Sequence, residues 1–379
     1  MSWAAQHGRS EELASSAEVA ARNGEAAQAE QLYRAAADAE EEAFRDLDPN
    51  KARTRGITAV SVVSLYYKSK DFMAAQTFAC RCLATENLPG FAVPQLQNLL
   101  QTVWGEQAIA AAGLKFAKQD VFVAVRGGEV LTGGAPLDLI LRKVEEVRAI
   151  FYRTIEFLMN RPLRMRGGPS QEIQQLFRPW LFQAPPGSYQ FAVRLEDAKQ
   201  LELGIVQSTT PLAEEVTRKF IEIVRSAASD TEEAMTIVVP DQGYRTTFLK
   251  LARNLAPTGQ SYSELEIRSE IQSRSGPIIL APAARKIINE SIKKGQTRSS
   301  AERIEGEEVP LAGVLRAVHL DEDWIEITIN DGGERHIRIE KAGDAIDDVV
   351  GPMMNRQVTV DAIRSVAGKY FFRDIEAFE

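Results

Sequence analysis

"VFVAVRGGEVLTGG", residues 121–134, is where one kind of structure gives way to another. An apolar run leads to Gly127-Gly128, and Gly133-Gly134 follow after four residues. Gly128 and Gly133 have the spacing of the glycines in a phosphate-binding loop, which continues with a lysine to neutralise phosphate and a hydroxyl to hold magnesium. Gly134 and Ala135 stand at those two positions, so both the charge and the metal ligand are missing. The stretch reads instead as a hairpin. Residues 121–125 run outward, Gly127-Gly128 make a two-residue turn, and Val130 and Leu131 return. Gly133-Gly134 then release the chain into a helix whose first turn accommodates Pro136.

Upstream, residues 11–118 carry helical periodicity. Its breaks fall at "RNGE" (22–25), "DLDPN" (46–50), "KSKD" (68–71) and "ENLPG" (86–90). Ala29, Tyr33 and Ala36 follow the turn at Gly24, and Ala75, Ala79 and Cys82 follow the turn at Lys70 with the same spacings. Small residues at such positions let paired helices approach closely. Over residues 11–86 this pattern resembles tetratricopeptide-type repeats, although its period is longer than the family's, about 34 residues, and the Trp-Leu-Gly-Tyr signature is incomplete. The resemblance implies a concave surface for a protein partner, with Tyr33, Tyr66 and Tyr67 as candidate contacts. A plain helical bundle would place those tyrosines in its core, where Phe72, Met73 and Phe78 belong by default.

Downstream, strand patterns at 121–125, 188–195, 201–206, 262–268 and 277–281 mix with helix patterns at 136–160, 170–178, 211–228, 243–255 and 282–294. They do not alternate as regular βαβ units, which predicts an α+β domain. In the helix at 136–160, Leu137, Ile140, Val144, Val147 and Phe151 form a heptad seam. The seam then slips to Ile155 and Leu158, the period of an ordinary amphipathic helix. That stripe, within 137–158, serves packing inside the domain or an oligomer contact. "GQTRSSAERIEGEE" (295–308) reads as a linker. Five strand patterns follow, at 309–319, 324–329, 335–340, 357–363 and 369–376, with a short helix at 343–350 after the third. This order resembles the OB-fold, and SH3-like barrels also use five short strands.

The predicted architecture is a multidomain α+β protein: a helical-repeat-like domain (1–119), a central α+β domain (120–294), the linker (295–308) and a small five-stranded OB-like or SH3-like β-barrel (309–379). A chain of 379 residues is long enough for two or three cores, and 44% hydrophobic with 26% charged residues is the composition of a globular protein. No apolar run is long enough for a membrane span, and the N-terminus has no secretory pattern, which predicts a cytoplasmic protein. Cys80 and Cys82 point to different faces of one helix and read as thiols in a reducing compartment.

The net charge of −8 is unevenly distributed. Residues 1–120 carry 12 basic and 15 acidic side chains, residues 121–300 carry 24 and 20, and residues 301–379 carry 9 and 18. Only the middle segment could attract nucleic acid, and the acidic tail would repel phosphate. The tail is expected to dock on the middle segment instead. "RPLRMRGGPS" (161–170) sets Arg161, Arg164 and Arg166 in a loop after the long helix, with Arg178 beyond it and Phe177, Trp180 and Phe182 interleaved. Over residues 142–178 this is a candidate basic docking surface for nucleic acid or an acidic partner. The bland reading is a loop capping the helix C-terminus, with internal salt bridges to the tail.

No catalytic constellation is present in linear sequence: no nucleophile elbow, no HExxH, no dinucleotide fingerprint. Adjacent carboxylates such as Glu145-Glu146 and Asp347-Asp348 diverge on a helix. His319 and His336, on neighbouring strands with Asp321 and Asp323, would have to converge to hold a metal, and they read as surface groups. No catalytic residue, metal ligand or cofactor is therefore expected. The reading is a non-catalytic adaptor or regulatory subunit that binds a protein partner in a multi-protein system, bacterial by its Ala-, Arg- and Glu-rich composition. A nucleic-acid-binding accessory protein is the second reading, and an enzyme with a site assembled from distant residues the third.

Overall fold

The computed structural model describes residues 2–84, 88–114, 116, 120–183, 189–196, 211–229, 232–269, 276–298, 306–330, 334–343 and 346–378. The chain is mixed α and β, with helices first and sheets later. It divides into two compact units, Met1–Lys115 and Phe116–Glu379. The strand pattern expected at 201–206 lies outside the described residues.

The first unit is helical: α1 (Trp3–Arg22), α2 (Ala26–Asp46), α3 (Ala52–Lys68), α4 (Phe72–Leu83) and α5 (Ala92–Ala111). The breaks have local causes. Gly24 turns the chain at φ 84, and Lys70 does so at φ 59 although it is not a glycine. The Asp71 side chain then accepts from the Ala74 amide and caps α4. The core is dominated by small residues; Ala36, Ala37, Ala59, Ala75 and Ala79 are fully buried. They let helix axes close up, and Tyr33, Tyr66, Phe78, Leu96 and Val103 fill what remains. At Gly56 the approach is closer still: a Cβ there would overlap the Pro89 ring.

The second unit holds two five-stranded sheets. The first contains β1 (Val121–Arg126), β2 (Pro179–Gln183), β3 (Gln190–Leu195), β4 (Glu264–Ser269) and β5 (Ile278–Leu280), in the antiparallel order β2-β3-β1-β4-β5. Between β1 and β2 lie α6 (Leu137–Leu158) and α7 (Gln171–Leu176). Between β3 and β4 lie α8 (Ala213–Ala227), α9 (Glu232–Val238) and α10 (Gln242–Leu255), and α11 (Pro282–Arg298) follows β5. This is β-α-β-β-α-β connectivity with β1 in the middle. One sheet face carries Val121, Val123, Val125, Phe191, Val193, Leu265 and Ile267 into a core shared with α6, α8, α10 and α11. Phe151 of α6 stacks on Phe220 of α8 with centroids 4.2 Å apart.

The hairpin expected at 121–131 does not form. Both edges of β1 are occupied, by β3 and by β4, so residues 130–131 have no edge to pair with. Gly127 and Gly128 do turn the chain, at φ 74 and 62, but their second role is close approach. The Glu129 amide donates to the Ser261 carbonyl (2.9 Å), and a Cβ at Gly128 would overlap that same carbonyl. Leu131 and Gly134 bond only to each other, and Pro136 caps α6. The helix expected at 170–178 is shorter: Ser170 caps α7, and by Pro179 the chain is already the edge strand β2, where a missing amide is tolerated. The α6 stripe packs within its own unit. Ile140, Val147, Phe151 and Ile155 are buried in the core, so the oligomer contact expected there has no free surface beyond Leu137 and Leu141, which are exposed.

The second sheet contains β6 (Gly306–His319), β7 (Trp324–Asn330), β8 (Glu334–Glu340), β9 (Gln357–Ser365) and β10 (Tyr370–Ala377). Its ladder runs β10-β8-β7-β6-β9, and β9 pairs in turn with β10, so each strand has two neighbours. The β8–β10 pair is parallel and the others are antiparallel. Ile325, Ile327, Ile339, Val358, Val360 and Ile375 fill the interior. Two short helical turns, Ile346–Val350 and Gly351–Met353, sit between β8 and β9. Val349 packs into the core of the first sheet and Val350 into that of the second. Of the expected linker 295–308, residues up to Arg298 continue α11 and residues from Gly306 belong to β6; the rest lie outside the described residues.

Candidate functional site

The arginines expected to form a basic docking loop are largely neutralised within the chain. Arg164 Nε donates to Glu156 (2.8 Å) and its Nη2 to Asp348 (3.2 Å). Arg161 pairs with Glu172 at 2.9 Å. The Arg178 guanidinium lies over the Trp180 ring, 5.4 Å from its centroid. Arg166 is exposed and has no partner among the described residues. Beneath this loop, Arg153 of α6 is completely buried, with Nε donating to Asp348 (2.6 Å) and Nη1 to Glu156 (3.3 Å). The amide of Gly167 donates to Asp347. Two arginines thus face two carboxylates, one of them from the turn that precedes β9. The acidic tail does dock on the middle segment, and Arg164 is drawn into that joint while Arg166 stays exposed.

A second joint has the same chemistry. Arg253 of α10 is fully buried and forks onto Asp374 of β10, while its Nη2 also donates to the Ile375 carbonyl (2.7 Å). Arg285 of α11 donates to the Arg253 and Ala256 carbonyls at 2.7 and 2.8 Å. Burial alone would raise Asp374, but Arg253 and Lys250 beside it outweigh that and hold its carboxyl below the usual aspartate range. Asp361 on the neighbouring strand shifts the other way, raised by burial and by the charge of Asp374. Neither joint pairs a nucleophile with a base, and both serve attachment.

The tyrosines divide. Tyr33 and Tyr66 are buried, which withdraws both from any exposed face. The reason is the helical period: the stripe that includes Ala29 and Ala36 carries Tyr33 inward with it. The Tyr66 hydroxyl donates to Asp38 (2.9 Å) and Glu41 (2.8 Å), and burial with these acceptors raises its pKa. Tyr67 is half-buried against Phe72. Burial pushes the Cys82 thiol up to about 11, so it is no nucleophile at neutral pH.

The histidines do not converge. His319 pairs opposite Trp324 at one end of β7, and His336 opposite Thr328, four residues along. At about 3.3 Å per residue these positions are about 13 Å apart. His319 stacks on Trp324 and accepts from the Glu322 amide (3.0 Å), while His336 lies 3.2 Å from Glu326.

An open trough of about 670 Å³ lies on the helical unit, between α2, the α3–α4 turn and α5. Arg34, Lys70, Asp71, Met73 and Gln107 line it. Met73, expected in the core, is 66% exposed there, and the Gln107 Nε2 approaches its Sδ at 3.5 Å. Trp104, one turn before Gln107 on α5, is also exposed, at 47%. The trough has an apolar floor and charged rims whose members are themselves paired: Arg34 with Asp71 and Asp38, Lys70 with Glu30. Sequence reasoning missed Met73 and Trp104. The available signal was Met73's position in the first turn of α4, just outside the alanine stripe of that helix.

The chain matches no protein-family model, and neither a curated protein nor a solved structure is similar to it. Among the described residues no helix is long and apolar enough to cross a membrane.

Proposed function

We propose that the chain is a non-catalytic adaptor or regulatory subunit of a multi-protein system, and that its helical unit holds the protein partner. The observation that carries this reading is the trough beside α4, with Met73 left in solvent on its lining and Trp104 exposed one turn before Gln107, another lining residue. An exposed methionine adapts its shape to an incoming side chain, and an exposed tryptophan supplies a large anchor at an interface. The helical-repeat reading of residues 1–119 agrees with this role, because consecutive antiparallel helices present one continuous face. The second sheet is read as a small OB-like barrel, 309–379. Its ring of pairings and its parallel β8–β10 contact support that reading. The nucleic-acid reading is weakened, since Arg161 and Arg164 are paired with Glu172 and Glu156.

The test is capture by the full-length chain in extract of its native host, with each captured protein quantified. Met73→Glu with Trp104→Glu is expected to lose the principal partner at least tenfold while the circular dichroism and melting temperature stay as in the wild type. Undiminished capture by this variant would overturn the assignment to the trough.

A further inference from the structure

The central domain contains a second cavity with different chemistry. It holds about 270 Å³ between the end of α8, α9, the start of α10 and α11. Among the described residues that line it, Arg245 is the one charged side chain and none is a carboxylate. The Nη1 of Arg245 donates to the carbonyls of Val239 and Pro240, both at 2.9 Å, which fixes the guanidinium plane. Its Nε and Nη2 have no partner among the described residues. Around it, the Ser226 and Ser291 hydroxyls and the Gln242 amide are likewise uncommitted. Asp241, the carboxylate next in sequence to this set, is occupied with the Tyr244 amide (2.8 Å) as the cap of α10. The lining also includes the apolar side chains of Met235, Leu249 and Ile292.

We propose that this cavity binds a small organic oxyanion. The anionic group, phosphate or carboxylate, is taken by the free edge of Arg245 with the serine hydroxyls, and the body of the molecule lies against the apolar side chains. Three facts point the same way. An arginine held by two backbone carbonyls is pre-organised, so it loses little entropy when it forks onto an oxyanion. Hydroxyl and amide donors with no protein acceptor complete the oxyanion's shell. Among the described lining residues no carboxylate compensates that charge. The volume lies just below that of common small-molecule sites, about 300–1,000 Å³, so the ligand is small. The site stands independently of the trough on the helical unit.

The experiment uses the full-length chain and three probes of matched body: phenyl phosphate, benzoate and phenol, titrated by calorimetry and by protein-detected NMR. One or both anions are expected to bind at least tenfold tighter than phenol and to weaken as salt rises, as a charge-assisted contact requires. The stronger of the two anions identifies the headgroup. Arg245→Gln is expected to lose that preference, but it also removes the carbonyl contacts. Ser226→Asp keeps them and places a carboxylate in the cavity, and it is expected to abolish anion binding with an unchanged melting temperature. Ser291→Leu fills the cavity and is expected to exclude all three probes. Equal binding of phenol and the anions, anion binding undiminished in Ser226→Asp, or no binding of any probe at 10 mM would each overturn the proposal.

Discussion

In the first sheet Val121 pairs with Val193 on one side and with Ser269 on the other. In the second, Trp324 pairs with His319 and with Glu340, all within one short stretch of chain. Both sheets have five strands, yet they are assembled differently. In the second, β6–β7, β7–β8 and β9–β10 pair strand to next strand, and β6–β9 and β8–β10 return the ladder on itself. The central strand of the first waits for partners separated from it by whole helices, and the sheet keeps two edges, β2 and β5. Loop closure favours the local pairs, so a sheet of the second kind is easier both to form and to read. The two are fastened together by buried arginines, Arg153 to Asp348 and Arg253 to Asp374.

The strongest way to break this comparison is to unfasten the sheets. Arg253→Met leaves Asp374 buried without its partner and should cost about 3–5 kcal/mol in urea unfolding, whereas Arg253→Met with Asp374→Leu should recover most of that. Full stability of the single variant would show that the sheets do not depend on this joint. Next in size is Gly128→Ala. It places a Cβ on the Ser261 carbonyl at a positive φ, and about 2–3 kcal/mol should be lost. The matching glycine of the second sheet, Gly368, also has a positive φ (78), but with open space around it. Gly368→Ala should therefore cost only about 1 kcal/mol. Equal losses would mean that close approach adds nothing at Gly128.

The smallest effect concerns pH. Asp374 has its folded pKa lowered, so its stabilising contribution is complete above the ordinary aspartate range and is lost as pH falls through the lower folded value. Asp361 has its folded pKa raised, so it favours the fold at low pH and opposes it once pH rises past that value. Urea midpoints measured between pH 2 and 7 should show a shallower acid decline in Asp374→Asn. In Asp361→Asn, stability at neutral pH should be held or raised. An unchanged acid limb in Asp374→Asn would remove this residue from the joint's pH dependence.

Local structure was legible and pairing was not. Gly24, the "DLDPN" turn and Lys70 mark helix ends wherever they occur, because a break needs only its own few residues. The strands of the second sheet were equally plain, since three of its pairings, β6–β7, β7–β8 and β9–β10, join neighbours in sequence. The glycines at 127–128 were read as a hairpin turn for the same reason: nothing nearby says that β3 and β4 will arrive first. Burial of Arg153 and Arg253 was hidden too, because a charged residue on a helix is assumed to face water. A hint existed in α10, where Lys250 and Arg253 interrupt an otherwise apolar run. Met73 erred in the opposite direction, apolar but exposed, and only its place just outside the alanine stripe of α4 signals that.

Val349 and Val350 are neighbours in the chain but belong to different cores. Their Cα atoms are one peptide unit apart, about 3.8 Å, so that is the whole tether between the two bodies at this point. It acts as a rivet: a hinge placed here has no slack, and any rotation must first draw one valine from its socket. A displacement of Val350 is therefore passed through Val349 to the packing against α10.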